Sequence, residues 1–314
     1  MADPWFHHMS RGDFDAAWQI NDQVRSTCDH HSEWKRPRHQ QIVWDGRSLA
    51  GHVVLVRCYH GLGDTVQFIR YAEPLRQIAR EVIVWAQPEL IPLLHTASGI
   101  DRLIPLHDGT PPAEYERDVE VMELPYVFRS TLDTLPRRVP YLQVMPQPRL
   151  NGETLHVGLV WSAGGWDARR SIQLECLEPL WSIDGLSWHI LQRGPALREW
   201  SRPITHGGSD SVMTTASIMA SLDLVISVDS FPAHLAGALG LPTWTLLHTE
   251  ADWRWMRDRD DSPWYPTMRL FRQTRAGQWN DVVHDVCRRL EAWKRSTREP
   301  HARHPQPPPS TTHS

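Results

Sequence analysis

The chain has 314 residues, 40% of them apolar and 22% charged, with a formal net charge of -4. That length and apolar content suffice for one large core or two of ordinary size. The mild acidity excludes a field that would draw nucleic acid or an anionic membrane.

Residues 12–26, GDFDAAWQINDQVRS, read as one amphipathic helix with Phe14, Trp18 and Val24 on its apolar stripe. The polar stretch CDHHSEWKRPRHQQ that follows reads as a linker. VVLVRC (53–58) is the first strand, and a glycine turn then opens a helix over about 64–79. EVIVWA (81–86) reads as a strand, PELIPLLHTAS as helical, and DRLIPL and DVEVMEL as further strands. Strands alternating with helices predict parallel βαβ units. Residues 136–152 carry four prolines and little periodicity, as an interdomain linker would.

A second alternating series follows. Its strands are LHVGLVWS (155–162), SWHILQ (187–192), LDLVISV (222–228), PTWTLL (242–247) and MRLFRQ from residue 268. Its helices fall near 173–182, 211–221, 232–239 and 279–295, the last with Val282, Val283, Val286 and Leu290 on one face. The polar, proline-rich end is expected to be disordered. Cys28, Cys58, Cys176 and Cys287 lie far apart, without C-x-x-C or zinc spacing, and read as reduced thiols. The histidines are mostly single, so metal is not expected. No run reaches the roughly 20 apolar residues of a membrane span. The first residues hold acids and lack an apolar core, so a cytoplasmic place is expected without a signal peptide.

Two successive α/β units joined by a proline-rich linker predict a ligand cleft at the carboxyl ends of the strands. Four motifs fall there. HGLGD (60–64) frees backbone N–H groups at a helix start, yet it is neither G-x-x-x-x-G-K-[ST] nor G-x-G-x-x-G, since Val66 holds the third glycine position. Asp64 reads either as a helix cap, worth about 1 kcal/mol, or as a carboxylate taking a proton from an attacking hydroxyl. Asp229 and Ser230 end a buried strand before Pro232 and His234, which suits a phosphate site or a simple cap. Arg169 and Arg170, after Gly164 and Gly165, suit a diphosphate or a solvated loop. The tryptophan-rich segment 250–273 is either an aromatic wall for a ligand or a packed loop.

GLGDTVQFIRY, VGLVWSAG with RRSIQL, LDLVISVDS with AHLAGALGLPTW, and DWRW with DSPWYPTMRLFRQ occur in this order. Together they resemble the glycosyltransferase family 9 proteins, the heptosyltransferase-like group, in the version found behind tetratricopeptide repeats in bacteria. The resemblance covers about residues 43–292. It implies an α/β, GT-B-like fold of two Rossmann-like domains facing a central cleft, with residues 43–145 as the acceptor domain and 150–296 as the nucleotide-sugar domain. Residues 1–42 then read as a helical remnant of a repeat plus linker, and 297–314 as the tail.

The family implies inverting, metal-independent transfer of a sugar such as heptose from a nucleotide-diphosphate sugar, without a cofactor. The acceptor is a glycan, lipopolysaccharide-type or protein hydroxyl. Asp64 carries over as the base and Arg170 as the cation for the leaving group. Trp161, Ser162, Arg169, Ser171, Gln192, Asp229, Ser230 and His234 fall on the donor side. His60, Gly61, Gly63 and Gln67 fall on the acceptor-side loop. Phe231 departs from the small residue usual after the Asp-Ser pair, and Pro232 removes an N–H. Those departures keep a non-catalytic nucleotide-sugar-binding or scaffold module of the same fold as the alternative. An epimerase on the same architecture is a third reading.

Overall fold

The computed structural model describes residues 3–148, 154–202 and 208–298. Its order begins with helices α1 (Pro4–Met9), α2 (Phe14–Ser26) and α3 (His30–Glu33). The first alternating unit is β1 (Val53–Arg57), α4 (Leu62–Phe68), α5 (Ala72–Ile78), β2 (Glu81–Ala86), α6 (Ile91–Leu94), β3 (Arg102–Pro105), β4 (Arg117–Glu120) and α7 (Leu124–Val127). The second is β5 (Leu155–Val160), β6 (Leu186–Ile190), α8 (Val212–Met219), β7 (Leu224–Val228), α9 (Phe231–Ala238), β8 (Thr243–Leu247), β9 (Met268–Arg272) and α10 (Trp279–Arg298).

The strands form two sheets, ordered β3-β2-β1-β4 and β6-β5-β7-β8-β9. Every pairing between named strands is parallel. The continuous apolar runs follow from this, because a parallel strand is covered on both faces. Val54, Leu55 and Val56 are fully buried, as are Val225, Ile226 and Val228. Each such side chain contributes about 1.5–3 kcal/mol of transfer free energy.

Several expected elements change at their ends for local reasons. The helix expected over 64–79 starts at Leu62 and breaks into α4, one 3-10 turn (Ile69–Tyr71) and α5. Pro74 has no N–H for the Arg70 carbonyl, and Arg70 Nε takes the Gln67 carbonyl at 2.7 Å. The helix expected near 173–182 is a 3-10 segment, Leu174–Ser182, with Pro179 inside it. The strand expected through residue 124 stops at Glu120, whose carboxylate accepts the Met122 N–H at 2.6 Å and turns the chain.

The polar stretch after α2 is not a bare linker. It reaches the second face of the first sheet, where Leu55, Ile83, Trp85 and Ile104 cluster, through Arg38 over the Tyr59 and Trp85 rings. Arg38 lies 5.0 Å from the Trp85 ring centroid and donates to the carbonyls of His107 (2.6 Å) and Gly109 (2.8 Å). Val24, expected on the buried stripe of α2, is instead 48% exposed, while Phe14, Ala17 and Trp18 carry the burial. Of the proline-rich linker, Tyr141 N donates to the Ala238 carbonyl, tying it to α9. The tail from residue 299 lies outside the described residues. Among the described residues no helix is long and apolar enough to cross a membrane.

Candidate functional site between the two sheets

At the carboxyl end of β1 the chain turns through Gly61, the N-cap of α4. Asp64 is therefore the third helical residue and not the cap itself. One carboxylate oxygen accepts the Gly61 N–H at 2.9 Å, satisfying a helix-terminal donor. The other oxygen takes a hydrogen bond from Arg254 Nη2, 190 residues away in the tryptophan-rich segment. One oxygen thus serves the helix start, and the other an ion pair to the second half.

At the carboxyl end of β7 stand Asp229 and Ser230, followed by α9. Helices α4 and α9 pack directly on each other across the two sheets. Gly63 permits this, since a Cβ there would lie 3.0 Å from His234 Cδ2 and 3.5 Å from Phe231 Cα. His234 is buried, with Nδ1 3.0 Å from the Tyr265 hydroxyl, Nε2 4.0 Å from Asp229, and its ring stacked on Trp255. Burial, then the nearby Arg254 charge, lowers its pKa to about 3, so it is a neutral imidazole. Asp229 goes the other way. Burial and the Asp252 carboxylate raise it to about 6, against the opposing pull of Arg170. The Ser230 hydroxyl turns back to the Val228 carbonyl (3.1 Å) and does not cap its helix.

Arg254 joins the two halves. Its guanidinium is 8% exposed, contacts Asp64 and Asp252 (2.9 Å), and lies over the rings of Phe68 and Trp253. Burial opposes its charge, but Asp252, Asp64 and Asp229 raise its pKa above the ordinary value. Its Nε is buried without a hydrogen-bond partner among the described residues. The same holds for Arg170 Nε, while Arg170 Nη1 donates to the Asp229 carbonyl at 3.3 Å. Two guanidinium N–H groups are thus left without acceptors around Asp229. Each costs about 1–3 kcal/mol or more when unmet. Sequence reading did not single out Arg254, because nothing periodic marks its segment.

The remaining residues expected on the donor side form a framework. Gln192 Oε1 accepts from the N–H groups of Trp161 (3.1 Å) and Ser162 (2.9 Å), and its Nε2 donates to the Ser162 and Arg193 carbonyls. Ser171 Oγ accepts the Ala163 N–H at 3.1 Å and lies 3.3 Å from Ser162 Oγ. These bonds pin the loop that carries Arg170. Trp161 is buried against Trp200. Arg169 turns outward to Asp167 and Glu250, away from Arg170.

On the first-sheet side, His60 Nδ1 lies 3.0 Å from the buried Glu120 carboxylate. Burial opposes protonation of His60, but Glu120 raises its pKa. Gln67 is fully buried one turn beyond Gly63, and both amide atoms lack a partner among the described residues. No group of three or more potential metal ligands occurs among the described residues.

No protein-family model matches the chain. Protein FlbA of Caulobacter vibrioides is 24% identical over 291 residues, covering 79% of this chain and 48% of FlbA. The chain thus spans about half the length of the curated relative it matches. Among solved structures, the glycosyl transferase family 9 protein of Veillonella parvula superposes with a TM-score of 0.58 at 12% identity, over 80% of this chain and 99% of that one. The ADP-heptose lipopolysaccharide heptosyltransferase II of E. coli gives 0.52 at 15% identity, over 78% and 99%. E. coli heptosyltransferase WaaC with ADP-2-deoxy-2-fluoro heptose gives 0.50 at 14%, over 76% and 99%. The fold is therefore the GT-B arrangement of these heptosyltransferase structures.

Proposed function

We propose that the chain is an inverting glycosyltransferase of the family 9 type, moving a sugar from a nucleotide-diphosphate sugar to a hydroxyl. The observation that carries this reading is the opposition, at the carboxyl ends of β1 and β7, of one carboxylate and two guanidinium groups whose Nε–H lack acceptors. A donor diphosphate supplies those acceptors. Arg254 and Arg170 then offset the charge that grows on the departing diphosphate, from a site of low dielectric. With cations from side chains at that place, the transfer needs no metal.

The step balances simply. The acceptor oxygen attacks the anomeric carbon from the face opposite the diphosphate and forms the new C–O bond. The bond from that carbon to the phosphate oxygen breaks, with its electron pair leaving on the nucleoside diphosphate. Asp64 takes the hydroxyl proton. In the structure Asp64 is paired with Arg254. The diphosphate draws Arg254 onto itself and uncovers the base only when a donor is present. Neutral His234, held by Tyr265, and Asp229 complete the donor side. The neighbours that act with ADP-heptose make it the first donor to test. All four cysteines are free, in keeping with a reducing compartment, and a cytoplasmic place belongs to this proposal.

The experiment is calorimetric titration with ADP-heptose and a panel of ADP-, GDP- and UDP-sugars, followed by release of nucleoside diphosphate. Asp64→Asn is expected to keep donor affinity and lose turnover by about 100-fold or more. No affinity for any member of the panel would leave the chain a scaffold of this fold. Affinity with equal turnover in wild type and Asp64→Asn would remove Asp64 from the chemistry. The second reading, a binding module without transfer, is favoured only by the Asp64–Arg254 pair, and donor affinity with no turnover would select it.

A further inference from the structure

A separate pocket of about 470 Å³ lies beside the Asp64–Arg254 pair, within the usual ligand-pocket range of about 300–1,000 Å³. Its inner end is made by His60, Met122 and Trp253. Two of these touch the pair directly: Met122 Sδ is 3.9 Å from Arg254 Nη2, and the Arg254 guanidinium lies 5.2 Å from the Trp253 ring centroid. Its outer wall comes from α1 and α2, with Trp5 set edge-on to Trp253 at 5.5 Å and Val24 exposed at the rim.

Charge and hydrogen bonding narrow what fits. The lining is mainly apolar and aromatic, with Trp5, Trp44 and Trp253 among its rings. Its one arginine, Arg25, is turned away from ligands, bonded to Asp22 and the Tyr126 hydroxyl and laid over Trp44. Asp3 and Glu120 add negative charge, whereas burial pushes the Glu123 carboxyl up to about 8 and leaves it neutral. An acidic ligand would meet carboxylates and no unpaired guanidinium, at the cost of burying an uncompensated charge. Glu120 engages His60 Nδ1, so the opposite ring edge, with Nε2, is the part left to face the pocket. Indole faces over an apolar wall with one imidazole nitrogen at the end suit a sugar ring, whose C–H faces pack on aromatics and whose hydroxyls bond at the edge.

We infer that this pocket, walled by α1 and α2 and ended by His60, binds an uncharged pyranose ring as the acceptor and presents its hydroxyl beside Asp64. The acceptor role rests on the transferase reading; the binding and its charge preference do not. The acceptor class is accordingly a neutral glycan residue and not an acidic, phosphate- or carboxylate-bearing core sugar.

The test compares phenyl β-D-glucoside with phenyl β-D-glucuronide, which share ring and aglycone and differ by a carboxylate. Dissociation constants come from saturation-transfer NMR on the full chain without donor. The glucoside is expected to bind at least about tenfold tighter, the factor that about 1.4 kcal/mol of charge burial makes. Val24→Arg, at the exposed rim, is expected to weaken the glucoside about tenfold or more with an unchanged melting temperature. Glucuronide binding as tight as glucoside would overturn the neutral-ligand claim. Unchanged glucoside affinity in a folded Val24→Arg protein would overturn the location. If Val24→Arg lowers the melting temperature, Val24→Gln decides the location by the same titration. ADP-heptose affinity, measured separately, reports on the transferase reading alone, so the two can fail independently.

Discussion

At the scale of single residues, Arg254 is the joint on which most else depends. It compensates Asp64 and Asp252 in a place where its own guanidinium is almost wholly buried. Removing one partner of such a pair leaves the others uncompensated, at a cost of about 3–5 kcal/mol. Asp64 and Asp252 keep partial solvent access, which puts Arg254→Met at the low end, about 3 kcal/mol by urea unfolding. Asp64→Asn in that background is expected to return part of the loss without restoring turnover. A double variant no more stable than Arg254→Met would mean that the pair does not hold the halves together. His234 and Asp229 give a second prediction, in pH. The histidine is depressed from 6.5 to about 3, so its contribution is complete above pH 6.5 and is lost as pH falls toward 3. The aspartate is raised from 3.8 to about 6, so its contribution is complete below 3.8 and is lost as pH rises toward 6. Between about pH 4 and 6 the two slopes oppose each other, each near 1.4 kcal/mol per pH unit. Relative to wild type, Asp229→Asn should lose stability on acidification across that window, and His234→Gln should gain it. Thermal melts at pH 4, 5 and 6 read both, and parallel curves for all three proteins would contradict the assignment.

At the scale of elements, the contact of α4 with α9 sets how closely the two motifs approach. Gly63 lies in that contact, and Gly237 sets the place of Tyr265, whose hydroxyl holds His234. A Cβ at Gly237 would lie 2.4 Å from the Tyr265 ring, and one at Gly63 would lie 3.0 Å from His234. Overpacking of this kind costs about 1–3 kcal/mol. Gly237→Ala should take the upper part of that range and Gly63→Ala the lower, since the imidazole edge has more room to shift. Both should cost nucleoside diphosphate release more than stability alone explains, because each moves His234. Equal melting temperatures for the two variants would show that Tyr265 is not the tighter constraint. The elements themselves were legible in the sequence because parallel strands need unbroken apolar runs, and β1, β2, β5 and β7 have them. Asp64, Asp229 and His234 were legible as strand-turn-helix residues. Arg254, Tyr265 and Trp255 were not, since they share a segment with no period and come together only when that segment folds over both motifs. Gln192 was placed with the donor by the family resemblance. Its amide is spent on backbone groups, a use that no spacing reveals.

At the scale of the whole molecule, the question is what α1 and α2 do for the rest. As the remnant of a repeat array they would be an appendage, removable at little cost. Their contacts point elsewhere, because they bridge both halves. Toward the first sheet, Trp18 is buried and donates Nε1–H to the Ser130 carbonyl at 2.8 Å, and Asp22 binds Arg129 and the Tyr126 hydroxyl. Toward the second, Trp5 packs on Trp253, and the Ser10 carbonyl accepts the Arg257 N–H at 2.8 Å. Trp253 and Arg257 bracket Arg254, which sits in the 3-10 turn Trp253–Trp255, so the hairpin braces the segment that carries the joint. Trp18→Ala should therefore cost about 3–5 kcal/mol, the range for a large buried aromatic, and should weaken donor binding as well, through Arg254. Trp5→Ala, at a half-buried position, should leave most of the stability but loosen Trp253, and so raise the donor dissociation constant more than it lowers the melting temperature. Donor titration and thermal melting on the two variants separate these effects. If both variants bind donor as wild type does, the hairpin is structural padding for the first half alone.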